Sequence, residues 1–219
     1  GKVGWFGNLI VARAHRKRGA GTLLAKHAMD YLLSKRVKTV GIYSYVDKIP
    51  FYEKLGFECE SEFVFLRGRG FSSPIAVRLT EAQKEHREEI IRLDESCFGA
   101  SRRKLLERIL QSSANSCYMQ IADGKVCGYA VAKNYGDMGE LGPLVCSREQ
   151  GGVAVDLLKA CLGKLHGLDV LLCVPERERA ILSLLKKRGF AEDFRVTRMF
   201  FKPYVPAECI YVAESLERG

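Results

Sequence analysis

Short β-prone apolar runs alternate along this chain with stretches whose apolar positions recur every three to four residues, the pattern of strands and amphipathic helices in turn. Residues 1–11 read as a strand carrying Trp5, Phe6, Leu9, Ile10 and Val11. Residues 19–35 read as a helix on which Leu23, Leu24, Ala28, Tyr31 and Leu32 share one face. A strand at 39–46 follows, then a short helix with Pro50 in its first turn and Gly56 as its left-handed cap, then a strand at 57–67. Residues 68–74 have the Gly/Ser/Pro composition of a linker. Beyond it the pattern predicts a strand at 75–79, a helical region to Cys97 capped by Thr80, and a helix at 101–110 capped by Ser101. Strands at 117–122 and 125–133 flank Asp123-Gly124, a strong hairpin signal. A strand at 140–145, a helix at 152–165, a strand at 170–174, a helix at 177–187 and strands at 194–202 and 209–213 complete the reading.

The second half repeats the order of the first. Val11 and Val145 each end a strand before a loop and a helix, and they stand 134 positions apart. Phe57 and Phe190 each follow a helix and a glycine, 133 positions apart. Phe63-Val-Phe65 answers Met199-Phe-Phe201 at a nearby offset of 136. Two tandem units are therefore expected, over residues 1–68 and 75–219 with 69–74 between them. The second spends some seventy residues before its loop and the first about ten. That difference implies that the first unit is incomplete and that the chain is the C-terminal portion of a longer protein.

The formal charge of +9 asks for anionic partners, and the densest basic cluster names one. Arg13, Arg16, Lys17 and Arg18 lie between a strand and a helix that opens at Gly19-Ala20-Gly21-Thr22. A helix start leaves N–H groups without partners and adds the positive end of its dipole, and glycine lets an anion approach the backbone. The combination suits a phosphate-rich ligand better than nucleic acid. It is neither a P-loop, lacking Gly-Lys-Ser/Thr, nor a Gly-x-Gly-x-x-Gly dinucleotide turn. No apolar run approaches membrane-spanning length and no signal peptide is recognisable, so a cytoplasmic protein without a membrane partner is expected. The eight cysteines form no C-x-x-C pair and no metal-ligand spacing with histidine, which predicts reduced core thiols and no metal.

The spacing Arg16-x-x-Gly19-x-Gly21, followed at the right distance by Phe51-Tyr-Glu-Lys-Leu-Gly-Phe57, resembles the two signatures of the GNAT superfamily of N-acetyltransferases. The arrangement over nearly the whole chain resembles a tandem type of that family. The resemblance implies an α/β fold of two GNAT-like units, each a mixed, mostly antiparallel sheet flanked by helices. It implies acetyl-coenzyme A as co-substrate, held by Leu9, Ile10, Val11, Arg16, Lys17, Arg18, Gly19, Ala20, Gly21 and Thr22, with a Cβ at Gly21 closing the phosphate nest. It implies an amine acceptor, either a small molecule or a protein terminus or lysine, and Tyr52 as general acid to the departing thiolate. The asparagine the family often carries seven residues earlier is replaced by Tyr45. In the second unit Arg16, Gly19 and Gly21 correspond to Gln150, Val153 and Val155, and Tyr52 to Leu185, so that unit reads as degenerate. A homodimer is compatible with this reading. The competing class is a non-catalytic module that binds coenzyme A or joins a larger protein.

Overall fold

The computed structural model describes residues 2–202 and 209–217. In the first half, strand β1 (Val3–Trp5) is much shorter than its apolar content suggests. Asn8 takes a left-handed φ of 55°, and a chain that turns there cannot continue a ladder. Helix α1 (Ala20–Ser34) starts at Gly19, whose φ of 81° favours glycine. Strand β2 (Thr39–Tyr45), the one-turn helix α2 (Ile49–Glu53) and strand β3 (Phe57–Arg69) follow. Gly56, with φ of 86°, turns the chain from α2 into β3. Arg69 thus still belongs to β3, and linker-like composition did not end the strand.

The second half opens with the two-residue strand β4 (Thr80–Glu81). Residues 75–79, expected as a strand, form none, and Ile75 and Val77 are exposed. Helix α3 (Arg87–Phe98) is preceded by one 3-10 turn at which Gln83 and His86 cap each other reciprocally, a role expected of Thr80. Helix α4 (Arg103–Gln111) begins after Arg102, with no side-chain cap from Ser101. Strands β5 (Asn115–Ala122) and β6 (Lys125–Asn134) form the hairpin, with Asp123 and Gly124 at φ of 51° and 71° as its mirror-image turn requires. Strand β7 (Met138–Ser147), helix α5 (Gly151–Lys164), strand β8 (Asp169–Pro175), helix α6 (Arg179–Lys187), strand β9 (Ala191–Phe201) and strand β10 (Cys209–Val212) complete the chain.

All ten strands join one mixed sheet, in the order β1-β2-β9-β3-β8-β7-β6-β5-β4, with β10 against β7. The two halves are interleaved. β9, from the second half, lies between β2 and β3 of the first, and β3 lies between β9 and β8 of the second. The first half's own neighbours β2 and β3 therefore never pair. The expected α/β class holds, but the strands form a single sheet shared by both halves.

Side chains alternate across this sheet as the pleat requires. On one face Val40, Ile42 and Met199 pack with Met29 of α1, and Val64, Leu66 and Val174 pack under α5 and α6. On the other, Phe63, Val196 and Tyr211 pack against α3 and α4, joined by Trp5 and Tyr43. The buried side of α1 is formed by Ala25 and Met29 with Leu32 and Leu33, whereas Leu23, Leu24 and Tyr31 are exposed. The helical period was read correctly, but the buried stripe is rotated from the one predicted, because the period is shared by both stripes and the sheet decides which is covered.

A charged network lies under α3. Arg102 donates to Asp94 from Nε at 3.0 Å and to the Tyr211 hydroxyl at 3.0 Å, while the Tyr129 hydroxyl donates to Asp94 at 2.6 Å. Asp94 is fully buried and Arg102 nearly so, so each charge depends on the other's geometry. Beside it, Cys97 at the end of α3 is bonded to Cys209 at the start of β10. This overturns the expectation that the cysteines are all reduced. Pairing across 112 positions is invisible to local spacing, since only the fold brings the two Cα atoms within 5.8 Å.

Candidate functional site

β1 and β2 run parallel and pair only at Val3–Thr39, Gly4–Val40 and Trp5–Gly41, with one further bond from the Phe6 N–H to the Gly41 carbonyl. Beyond that rung the two segments separate. Gly41 is required here, because any Cβ would overlap the Trp5 ring. Past Asn8 the first segment leads toward the start of α1, where a Cβ built on Gly21 would stand 3.9 Å from Leu9, 3.7 Å from Val11 and 3.8 Å from Phe51. Leu9 and Val11 therefore face the α1–α2 side of the sheet, and Ile10, on the opposite side of its segment, is exposed. The gap between residues 7–11 and the far end of β2 contains no strand among the described residues.

At the mouth of this gap lies the basic loop. A 3-10 turn at Arg13–His15 leads to Arg16, whose Nε reaches back to the Val11 carbonyl at 2.9 Å and fixes the guanidinium at the loop. Lys17 and Gly19 both adopt left-handed φ, 60° and 81°, in the turn that leads into α1. The first intrahelical bond runs from the Leu23 N–H to the Gly19 carbonyl, so the N–H groups of Ala20, Gly21 and Thr22 precede it. No side chain caps them. Arg13, Arg16, Lys17 and Arg18 are exposed, and none has an ion-pair partner among the described residues. Cationic charge, helix dipole and open N–H groups thus converge on one spot, as an anion site requires. The backbone demand for glycine falls on Gly19. At Gly21 a methyl would meet its protein neighbours at ordinary contact distances.

Tyr52 stands on α2, on the same side of the sheet. Its ring meets Phe51 edge-on at 4.9 Å and Phe57 at 5.7 Å. The hydroxyl has no hydrogen-bond partner among the described residues, and burial raises its pKa above the ordinary 10.0, which keeps the phenol protonated through the neutral range. Tyr45, at the end of β2, is exposed and packs on Phe194 at 5.2 Å.

The corresponding place in the second half differs. β7 and β8 are parallel and pair at Met138–Asp169, Gly139–Val170 and Glu140–Leu171, then separate as β1 and β2 do. There β10 fills the opening. It pairs with β7 from Leu144 to Ser147, and the Ala213 N–H donates to the Cys173 carbonyl of β8 at 3.0 Å. Arg148 donates to the Cys209 carbonyl and to Glu178, which consumes the loop's cation internally. Val153 and Leu185 are buried in the core beneath. The side chain of Gln150 lies outside the described residues.

Among the described residues no cluster of His, Cys, Asp and Glu is arranged to hold a metal ion. No helix among the described residues is long and apolar enough to cross a membrane. Trp5 and Glu217 were passed over by sequence reasoning. Yet the backbone of Glu217 packs on Gly7, its Cα 3.0 Å from where a Cβ would stand. The chain terminus thus crosses to the first half's gap, a contact that no local pattern encodes.

Family profiles agree with this geometry. One described as an acetyltransferase (GNAT) domain matches residues 90–211, and one described as the acetyltransferase (GNAT) family matches residues 1–57. Among curated relatives, the uncharacterized N-acetyltransferase YitH of Bacillus subtilis (strain 168) is 18% identical over 95% of this chain and 73% of its own length. Holothin acyltransferase of Pseudoalteromonas sp. (strain SANK 73390) is 26% identical over 98% of this chain and 73% of its own. A Pyrococcus horikoshii protein assigned to the acetyltransferases superposes with a TM-score of 0.75 at 20% identity, covering 95% of this chain and 69% of that one. A tandem GNAT protein from the clavulanic acid biosynthesis pathway superposes with a TM-score of 0.55 at 16% identity, over 90% and 74% of the two chains.

Proposed function

Since the chain belongs to the GNAT acetyltransferase family, we propose that its first half binds acetyl-coenzyme A and transfers the acetyl group to a primary amine. The observation that carries this reading is the contrast between the two gaps. Among the described residues no strand fills the one between residues 7–11 and β2, which lies beside a basic loop without ion-pair partners, and the one between β7 and β8 is filled by β10. The residues of the first fit the ligand: a helix start and four cations without ion-pair partners among the described residues for the phosphates, beside two segments that pair no further than the bond from Phe6 to Gly41. The second half serves as scaffold.

The thioester supplies an activated acyl group, and the protein has three tasks around it. Arg16, Gly19 and the N–H groups of Ala20, Gly21 and Thr22 hold the pyrophosphate, with Lys17 and Arg18 adding charge. Leu9, Ile10 and Val11 flank the arm with backbone groups that no β-ladder uses. The neutral amine attacks the carbonyl carbon, the new C–N bond forms and the C–S bond breaks, and the proton that the nitrogen sheds passes through solvent to restore the Tyr52 phenol. Tyr52 gives its hydroxyl proton to the leaving sulfur, a transfer for which its protonated, half-buried phenol suits it.

Calorimetric titration with coenzyme A tests the binding half of this proposal. One site per chain is expected, with affinity that falls as salt rises and falls again in Arg16→Ala. A crystal soak that seats the ligand against α5, or a titration indifferent to Arg16, would refute it.

A further inference from the structure

A groove of about 530 Å³ opens on the sheet face opposite α1, between Trp5 and helix α4. Its volume is in the range that holds a small molecule. Trp5 lies directly over Gly41, at the last paired rung before the first half's gap opens, so the groove adjoins the place where the acyl group would emerge. The opposite side of the gap is covered by α1 and α2, and an acceptor must therefore come from this one.

The wall chemistry is divided. On α4, Lys104 and Arg108 stand one turn apart, both exposed, and neither has an ion-pair partner among the described residues. Across from them Glu217, also exposed, packs on Gly7 just past Trp5. Between the two poles lie the apolar Leu105 and Ile109, the Trp5 ring and the buried Lys133–Glu214 ion pair, whose charges satisfy each other. A cationic pole and an anionic pole on either side of a largely apolar floor match a zwitterion.

Resting on the acetyltransferase reading above, we propose that this groove is the acceptor site and that the acceptor is a small amino-acid-like zwitterion with an apolar side chain. Its carboxylate faces Lys104 and Arg108, and its amine faces Glu217 at the gap.

Trp5 is the single tryptophan of the chain, so its fluorescence reports on the groove alone. L-phenylalanine, added without coenzyme A, is expected to shift that emission saturably. Phenylethylamine, which lacks the carboxylate, and phenylpropionate, which lacks the amine, should each bind about tenfold or more weakly, the scale of one ion pair in a partly buried groove. Arg108→Glu should weaken L-phenylalanine by a similar factor, and Lys104→Glu serves if that variant does not fold. An absent response, an equal response to all three compounds, or one unchanged in both charge reversals would overturn the proposal. The two readings fail separately: loss of coenzyme A binding with this response intact counts against the acetyltransferase alone.

Discussion

Replacing Tyr52 by Phe removes one oxygen and leaves the ring. The ring makes the contacts, edge-on to Phe51 at 4.9 Å and to Phe57 at 5.7 Å, and such pairs are worth roughly 0.5–1.5 kcal/mol each beyond burial. The hydroxyl has no hydrogen bond to lose among the described residues, so stability should change by less than about 0.5 kcal/mol, where a structural hydroxyl with a partner would cost about 1–2 kcal/mol. Loss of a general acid is a different quantity. It costs about 10²-fold in turnover or more, some 2.7 kcal/mol of barrier. The assay is turnover by release of free thiol at saturating acetyl-coenzyme A, read beside the melting midpoint of the same preparation. An unchanged midpoint with turnover reduced a hundredfold is expected. A folded variant with normal turnover would end Tyr52's catalytic role and pass the proton to water.

Three other outcomes follow from particular contacts. Gly19→Val forces a β-branched residue to a φ of 81° and should weaken coenzyme A binding at least tenfold by calorimetry, whereas Gly21→Ala should bind nearly as wild type; equal affinities would remove the loop from the site. Reducing the Cys97–Cys209 bond frees a loop spanning 112 positions, worth about 5 kcal/mol in the chain-entropy description, so the midpoint should fall by about 10 °C or more; identical melts of chains shown by mass to be oxidised and reduced would contradict this. Burial raises the pKa of the Tyr43 and Tyr129 phenols well above their ordinary 10.0 and pushes the Cys146 thiol from 9.0 up to about 12. The folded state therefore binds these protons more tightly than the unfolded one. That stability is complete below about pH 9 and is lost as pH rises, by about 1.4 kcal/mol per unit for each group that ionises only on unfolding. A midpoint that stays flat to about pH 11 would refute it.

The loop and the short helix were legible because their chemistry is local. The turn at Gly19 and the one-turn helix that carries Tyr52 are set by spacing along the chain, and spacing is what a sequence displays. Strand lengths were less so: apolar content ran 1–11 together, but Asn8 interrupts the ladder and leaves the gap open. The stripe on α1 was misplaced because Leu23, Leu24 and Tyr31 fit the same helical period as Ala25 and Met29, and only the partner surface chooses between them. The Cys97–Cys209 bond, the Arg102–Asp94 pair, the filling of the second gap by β10 and the arrival of Glu217 at Gly7 all join distant segments. Nothing in the local pattern announces them.

The interleaving of β3 and β9 makes the order of assembly a property of the whole chain. β3 finds its partners more than a hundred residues later, at Asp169–Pro175 and Ala191–Phe201, so no stable sheet centre exists until most of the polypeptide is present. Contacts of that separation slow folding, because the loop entropy is lost before the contacts repay it. A fragment beginning after Arg69 would expose the edges of β8 and β9 as a slot for one extended segment. The thirteen residues from Phe57 to Arg69, supplied as a separate peptide, have the register to fill it, which turns an internal exchange into a means of rejoining a divided chain.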